Sequence, residues 1–250
     1  MLINIFCAKC VGIDAVEVNV EVDIATGIGI HLVGLADAAV KESLLRTMTA
    51  LQSRGFRIPG KKIVINLAPA DMHKKGSGYD LPIALGIIAA SAQRDLPLLD
   101  KFLIMGELGL DGTIREVPGA LPTVELAAKR GMMGCILPRQ SALEASEYNI
   151  IDVYGVETME EVLEILSGEV AREDLLARNI RTGARTGAGQ GISGAMDFSE
   201  IIGQEGAKRG LEIAAAGGHN AILIGSPGSG KSSLAKAMST ILPPLNFRES

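Results

Sequence analysis

The chain has 250 residues, 47% of them hydrophobic, 21% charged and 3% aromatic, with no tryptophan and a formal net charge of −5. This composition excludes a disordered chain and supplies an aliphatic core. It also argues against an extended aromatic platform for stacked bases and against binding a polyanion by bulk charge, although a local basic groove stays open.

Three cysteines, Cys7, Cys10 and Cys135, are too few and too odd in number for a disulfide scaffold, and they fit a reducing cytoplasm. Cys7 and Cys10 form a lone CxxC with no second ligand pair at zinc spacing, so two small side chains at a strand end are expected. MLINIFCAKC lacks the pattern of a signal peptide, and the longest apolar run, LPIALGIIAASA, is too short to cross a bilayer. A cytoplasmic protein that does not engage membranes is expected.

In chain order, VEVNVEVDI (Val16 to Ile24) alternates apolar with acidic or polar residues, the period of a half-buried strand. ATGIG is a turn, and Ile30 to Val33 is expected to pair back onto that strand. Asp37 caps a helix running to about Ser53, with Val40, Leu44, Leu45, Met48 and Leu51 on its inner face and Lys41, Glu42 and Arg46 outside. KIVINLAP reads as a strand, ADMHKKGSGY as a loop, and Asp80 to Ala92 as a buried helix. KFLIMGELGLDGTI holds two strand runs around a turn marked by Asp111–Gly112. A helix over about Leu121 to Arg130, the strands CILP and IIDVYGV, and a helix from Thr158 to Leu166 complete an α/β unit over residues 1–167.

Residues 168–197 lack core periodicity and read as a flexible linker. Arg178, Arg181 and Arg185 lie in it without acidic neighbours in sequence and are expected to be solvated, a phosphate contact being the alternative. A second unit spans 198–250. It starts with a helix over Gln204 to Ala216 that buries Leu211, Ala214 and Ala215, and continues with a short buried strand, AILI (221–224). A helix then runs from about Lys231 to Ile241, and Pro243 and Pro244 stop it.

Between that strand and that helix, GSPGSGKS (Gly225 to Ser232) fits G-x-x-x-x-G-K-[ST] at every position. Glycines let successive backbone N–H groups curl round one concavity, and the helix start adds partial positive charge. Gly225, Ser226, Pro227, Gly228, Ser229, Gly230, Lys231, Ser232 and Ser233 are therefore the expected nucleotide-binding residues. Lys231 would reach the β- and γ-phosphates of ATP, and the Ser232 hydroxyl would ligate Mg²⁺. After Ser232 there is one late acid, Glu249, and no strand ending in Asp. The hydrolytic residues of such an enzyme are thus absent, and a piece of a longer protein is expected.

FSEIIGQEGAKRGLEIAAAGGHNAILIGSPGSGKSSLAKAMSTILPPL resembles the start of an AAA+ module of the magnesium-chelatase-like group, in particular the YifB and ComM competence family. VGLADAAVKESLLRTMTAL, KKIVINLAPADMHKKGSGYDLPIALGIIAAS and GELGLDGTIREVPGALP are similar to that family's N-terminal domain. The resemblance implies a front domain with the β-α-β fold of the Lon protease domain, followed by a P-loop AAA+ module. It implies ATP and Mg²⁺ as cofactors, assembly of the full-length protein into a hexameric ring, and action on DNA in branch migration, through regions beyond residue 250. Ile201, Ile202 and Gly203 match the adenine-side positions.

Two other functions follow from the same resemblance, an ATP-dependent Lon-like protease and a chelatase-type remodelling subunit. Peptidase chemistry is not expected. The Lon serine position falls on Gly78 or Tyr79, with Ser77 in a different setting, and the Lon lysine position falls on Pro122. Lys74, Lys75 and Ser77 would form only a makeshift dyad.

Overall fold

The structure, a computed structural model, describes residues 2–74, 76–146, 150–184 and 197–242. It divides into two compact units, 1–187 and 188–250.

The front unit is built on a mixed seven-stranded sheet in the order β3-β4-β2-β1-β5-β8-β9. β1 (Leu2–Val11) and β2 (Asp14–Ala25) form a long antiparallel hairpin, with Ile5 opposite Val20 and Cys7 opposite Val18. The alternation in β2 does what its period dictates: Val18, Val20 and Val22 are fully buried, and the polar residues between them take the other face. β4 (Lys62–Ala68) extends this face with Ile63, Ile65 and Leu67, giving a cross-strand apolar ladder.

β3 (Gly29–Val33) pairs in parallel with β4, so the expected pairing of Ile30 to Val33 with β2 is corrected. The helix between them, α1 (Ala38–Ser53), is the crossover that a parallel pair requires. The Asp37 side chain accepts from the Val40 N–H at 2.9 Å and so starts α1 as expected. Its inner face differs from expectation. Val40, Ser43, Thr47, Ala50 and Leu51 are buried, whereas Leu45 is 74% exposed. Small hydroxyl residues let α1 approach α2, and a leucine was not needed on that side.

α2 (Asp80–Ala90) is buried on nearly every side from Asp80 to Ile88. It lies so close to the sheet that a Cβ on Gly86 would meet Val22 Cγ2 at 2.4 Å and Ile5 Cδ1 at 2.9 Å. β5 (Phe102–Ile104) joins β1 in parallel, and β8 (Gly134–Pro138) and β9 (Asp152–Val156) follow in parallel beyond it. β5 and β8 are buried throughout, which is why they read as continuous apolar runs. The small hairpin β6 (Glu107–Leu108) and β7 (Ile114–Arg115) turns at Asp111, whose carboxylate accepts from the Thr113 N–H and hydroxyl.

α3 (Ala120–Lys129), the short α4 (Arg139–Glu144) and α5 (Met159–Ser167) complete the layers. Thr158 caps α5 reciprocally with Glu161.

Part of the expected linker is ordered. A 3₁₀ turn (Glu173–Leu175) and α6 (Ala177–Ala184) belong to the front unit. Leu175, Leu176 and Ala177 are buried, and Arg178, still half-exposed, has an acidic partner in Asp152 at 2.7 Å. The Arg181 side chain and Arg185 lie outside the described residues.

The second unit has a small core of Phe198, Leu211, Leu234 and Ala237. A 3₁₀ turn (Phe198–Glu200) leads to α7 (Glu205–Gly217), which buries Leu211, Ala214 and Ala215 as expected. α8 (Lys231–Met238) follows the glycine loop, and the two prolines expected to stop it lie outside the described residues. The strand expected at 221–224 is not formed: Ile222 is 83% and Ile224 is 88% exposed. A strand exists only through its ladder, and no described segment of this unit pairs with it.

Candidate nucleotide site

The glycine loop folds as the residue types require. Gly228 and Gly230 sit at φ +79° and +83°, where a side chain would be strained, and Gly230 occupies the N-cap position of α8. Open space surrounds both Cα atoms, so backbone conformation rather than crowding selects glycine there. α8 is anchored by Leu234, 2% exposed, and by the fully buried Ala237, and this fixes the direction in which its N-terminus faces.

Lys231 opens the helix and turns back over the loop. Its ammonium donates to the Gly225 carbonyl at 2.9 Å, the Ser226 carbonyl at 2.7 Å and Ser229 Oγ at 3.2 Å. A flexible stem thus places one positive charge over the loop while Ser226, Pro227, Gly228 and Ser232 stay exposed. Ser229, Gly230 and Ser233 are half-buried. The loop gathers the nine expected residues, Gly225 to Ser233, into one segment at the start of one helix. This donor set, with backbone N–H groups, an ammonium, a hydroxyl and no carboxylate, fits a phosphate chain with its divalent cation.

The expected adenine-side residues form a second segment. Ile201 is half-buried against the small core, Ile202 is 98% exposed, and Gly203 takes φ +75°. Two residues that the sequence reading passes over touch these segments. Lys208 donates its ammonium to the Ile201 carbonyl, and Gln204 Nε2 donates to the Ser229 carbonyl at 3.3 Å. The signal for Lys208 is a lysine near the start of a helix otherwise rich in small residues, and charge counting alone does not single it out.

The front unit has a cavity of about 280 Å³ at the carboxyl ends of β1 and β5, lined by Cys10, Ser77, Gly78, Tyr79, Met105 and Val117 among others. Lys74 and Ser77 do not pair beside it. The Ser77 hydroxyl donates to the Glu107 carboxylate, while Lys74 is fully buried and donates to the Pro69 carbonyl. Burial pulls the Lys74 ammonium below its ordinary pKa. Lys75 lies outside the described residues. Pro122 stands in the first turn of α3, and Tyr79 is 2% exposed, with burial pushing its phenol up.

Cys7 lies in the core, and burial pushes its thiol up to about 12. Cys10 is half-buried, with Sγ 3.8 Å from the Gly119 carbonyl.

One charge cluster was missed. Asp80, at the first position of α2, is fully buried and accepts from Arg46 Nε at 2.9 Å, from Arg46 Nη2 at 3.3 Å and from the Leu108 N–H at 3.2 Å. Arg46 is therefore not an outward residue of α1. Burial pushes the Asp80 carboxyl up, against the opposing pull of Arg46, Ser43 and the Leu108 N–H. The available signal was an acid directly before an apolar helix.

Comparison with known proteins matches both units to one family. The model described as subunit ChlI of Mg-chelatase matches residues 20–141, and that of magnesium chelatase, subunit ChlI, matches residues 197–250. The YifB protein of Salmonella typhimurium is 40% identical over 239 residues, 95% of this chain and 45% of its own length. The competence protein ComM of Haemophilus influenzae is 38% identical over 246 residues, 98% of this chain and 47% of its own length. The chain thus spans a little under half the length of these relatives. An archaeal Lon protease of Methanocaldococcus jannaschii is 26% identical over 148 residues, 59% of this chain and 22% of its own length. The mixed α/β front unit is accordingly a Lon-like domain, and the second unit is the start of an AAA+ module. The chain belongs to the magnesium-chelatase-like family of YifB and ComM.

Proposed function

We propose that this protein is an ATP-binding AAA+ motor that acts on branched DNA, working in the cytoplasm as a hexameric ring. The observation that carries the reading is the glycine loop, with left-handed Gly228 and Gly230 and with Lys231 poised over it at the start of α8. The ComM relative is by name a competence protein, and this points the motor at DNA. Among the described residues no helix is long and apolar enough to cross a membrane.

The backbone of Gly225 to Gly230 would hold the phosphates, and Lys231 would exchange its loop carbonyls for them. Ser232, exposed in the first turn of α8, would hold Mg²⁺, with Ser233 beside it. Ile201, Ile202 and Gly203 would flank the base. Bound ATP supplies the free energy of its phosphoanhydride bond. The glycine loop orients the nucleotide, and the DNA contacts belong to the whole protein.

The test is displacement of a strand from a three- or four-way DNA junction by the full-length protein. We expect ATP-dependent displacement that Lys231→Ala abolishes. Wild-type protein whose ATP turnover ignores DNA would overturn the DNA assignment, and wild-type protein that binds no ATP would overturn the site. A peptidase is not favoured, because Gly78 and Pro122 carry neither nucleophile nor base and the Tyr79 phenol is buried with its pKa pushed up.

A further inference from the structure

The nucleotide reading leaves two polar side chains without a role, and both come from the start of α7. Gln204 has φ +60° and ψ +34°, a left-handed conformation that a residue with a Cβ rarely takes, directly after Gly203 at φ +75°. Backbone strain of this kind persists where the surroundings hold it. The Gln204 amide reaches the Ser229 carbonyl at 3.3 Å, at the crest of the glycine loop. The Ser229 hydroxyl in turn accepts from the Lys231 ammonium at 3.2 Å. Ser229 is therefore held from two sides, its carbonyl by Gln204 and its hydroxyl by the phosphate lysine.

Lys208, one turn further along α7, has a side chain only 14% exposed, and its ammonium donates to the Ile201 carbonyl. Glu205, at 3.7 Å, is 82% exposed and leaves that charge largely to the carbonyl. A nearly buried ammonium needs such a partner, so the carbonyl is pinned where Lys208 can reach it. One turn of α7 thus grips both segments, Ile201–Gly203 through Lys208 and the glycine loop through Gln204.

We propose that Gln204 and Lys208 are positioning residues that set the base side and the phosphate side of the nucleotide site in register. Gln204 carries the coupling from the Ile201–Gly203 turn through Ser229 to Lys231. This rests on the nucleotide reading above, and the two are separable by experiment. A purely structural role would make both variants lose stability and would weaken all ligands alike. A positioning role makes the loss depend on whether the ligand has a base.

The experiment measures binding of MgATP and of inorganic tripolyphosphate with Mg²⁺ to the whole chain, with thermal melting in parallel. Gln204→Gly is the informative variant, because glycine keeps the left-handed backbone without strain and removes the side chain that carries the amide. We expect its melting temperature to hold or rise while MgATP binds about fivefold more weakly, the scale of one lost hydrogen bond. Lys208→Met keeps the apolar stem. We expect it to weaken MgATP by at least about fivefold and tripolyphosphate by less than about twofold. Lys231→Ala should weaken both ligands.

If Lys231→Ala abolishes binding while Gln204→Gly and Lys208→Met match wild type, the nucleotide reading stands and the positioning role is overturned. The role is also overturned if Lys208→Met weakens both ligands equally. If wild type binds neither ligand, the underlying reading fails and takes the inference with it.

Discussion

The tripeptide Gly-Ser-Gly precedes a helix twice in this chain, at 76–78 before α2 and at 228–230 before α8. The two helix starts have opposite fates. At α2 the first helical residue is Asp80, a buried carboxylate tied to Arg46 and to the Leu108 N–H, with an apolar helix behind it. The positive end of that helix is satisfied from within. At α8 the first residue is Lys231, the serine after it is exposed, and no carboxylate is supplied. What distinguishes the structural joint from the proposed anion site is thus the sign of the first helical side chain, and the glycines are common to both.

The largest expected effect breaks the internal joint. Asp80→Ala leaves the Arg46 guanidinium and the Leu108 N–H without their partner, and should cost the front unit about 3 kcal/mol in urea denaturation. Replacing both members, Asp80→Leu with Arg46→Met, should recover the part due to the unpaired guanidinium and leave the part due to the Leu108 N–H. Full recovery by the double change would show that the pair is replaceable by apolar packing.

Next comes the external site. Lys231→Asp gives α8 the same first residue as α2. Nucleotide affinity should fall by more than about tenfold, while the helix should gain about 0.3–1 kcal/mol from the carboxylate at its N-terminus. Isothermal titration and thermal melting should therefore move in opposite senses. A melting temperature that falls together with affinity would refute the contrast between the two helix starts.

Gly86→Ala tests how closely α2 is seated. The gain in helix propensity is about 1 kcal/mol, but the new Cβ would fall 2.4 Å from Val22 Cγ2, and overpacking costs about 1–3 kcal/mol. We expect a net loss of about 1 kcal/mol, read as a lower urea midpoint.

The last effect is absent at neutral pH and appears only in alkaline solution. Cys7 stays protonated in the folded protein up to about 12, against an ordinary 9.0, so above pH 9 the unfolded chain holds fewer protons than the folded one. Stability from this thiol is fully present below pH 9 and is lost as pH rises toward 12, by at most about 1.4 kcal/mol per pH unit. Cys7→Ala should flatten the alkaline slope by that amount. An unchanged slope would contradict burial of this thiol.

The features legible in the sequence are those with a local cause. The alternation of β2, the Asp37 cap and the apolar run of α2 each carry their own period or end signal. The glycine loop before α8 was readable because left-handed turns and helix starts select glycine locally. What stayed hidden depends on distant partners. Nothing near Ile30 says that β4 will be its neighbour, 33 residues on at Ile63. Arg46 looked external because its carboxylate lies 34 residues away. α6 is written mostly in Gly, Ala, Thr and Arg, and among the described residues it is tied to the unit by Leu176, Ala177 and Ile180 and by the Arg178–Asp152 pair. The 221–224 strand failed for the converse reason: its local pattern is right, and no described segment of this unit supplies the ladder it needs.

The strand order carries a consequence for synthesis. β1 is synthesised before β5 yet lies in the interior of the sheet, between its hairpin partner β2 and β5 at residues 102–104. One flank of β1 therefore stays an open hydrogen-bonding edge while the chain from Val11 to Phe102 is made, some 5–20 s at typical elongation rates. During that interval the nascent hairpin offers Phe6 and its neighbours to any extended chain in reach. Helper proteins that shield strand edges should thus engage this protein early, and release it once β5 has closed the gap.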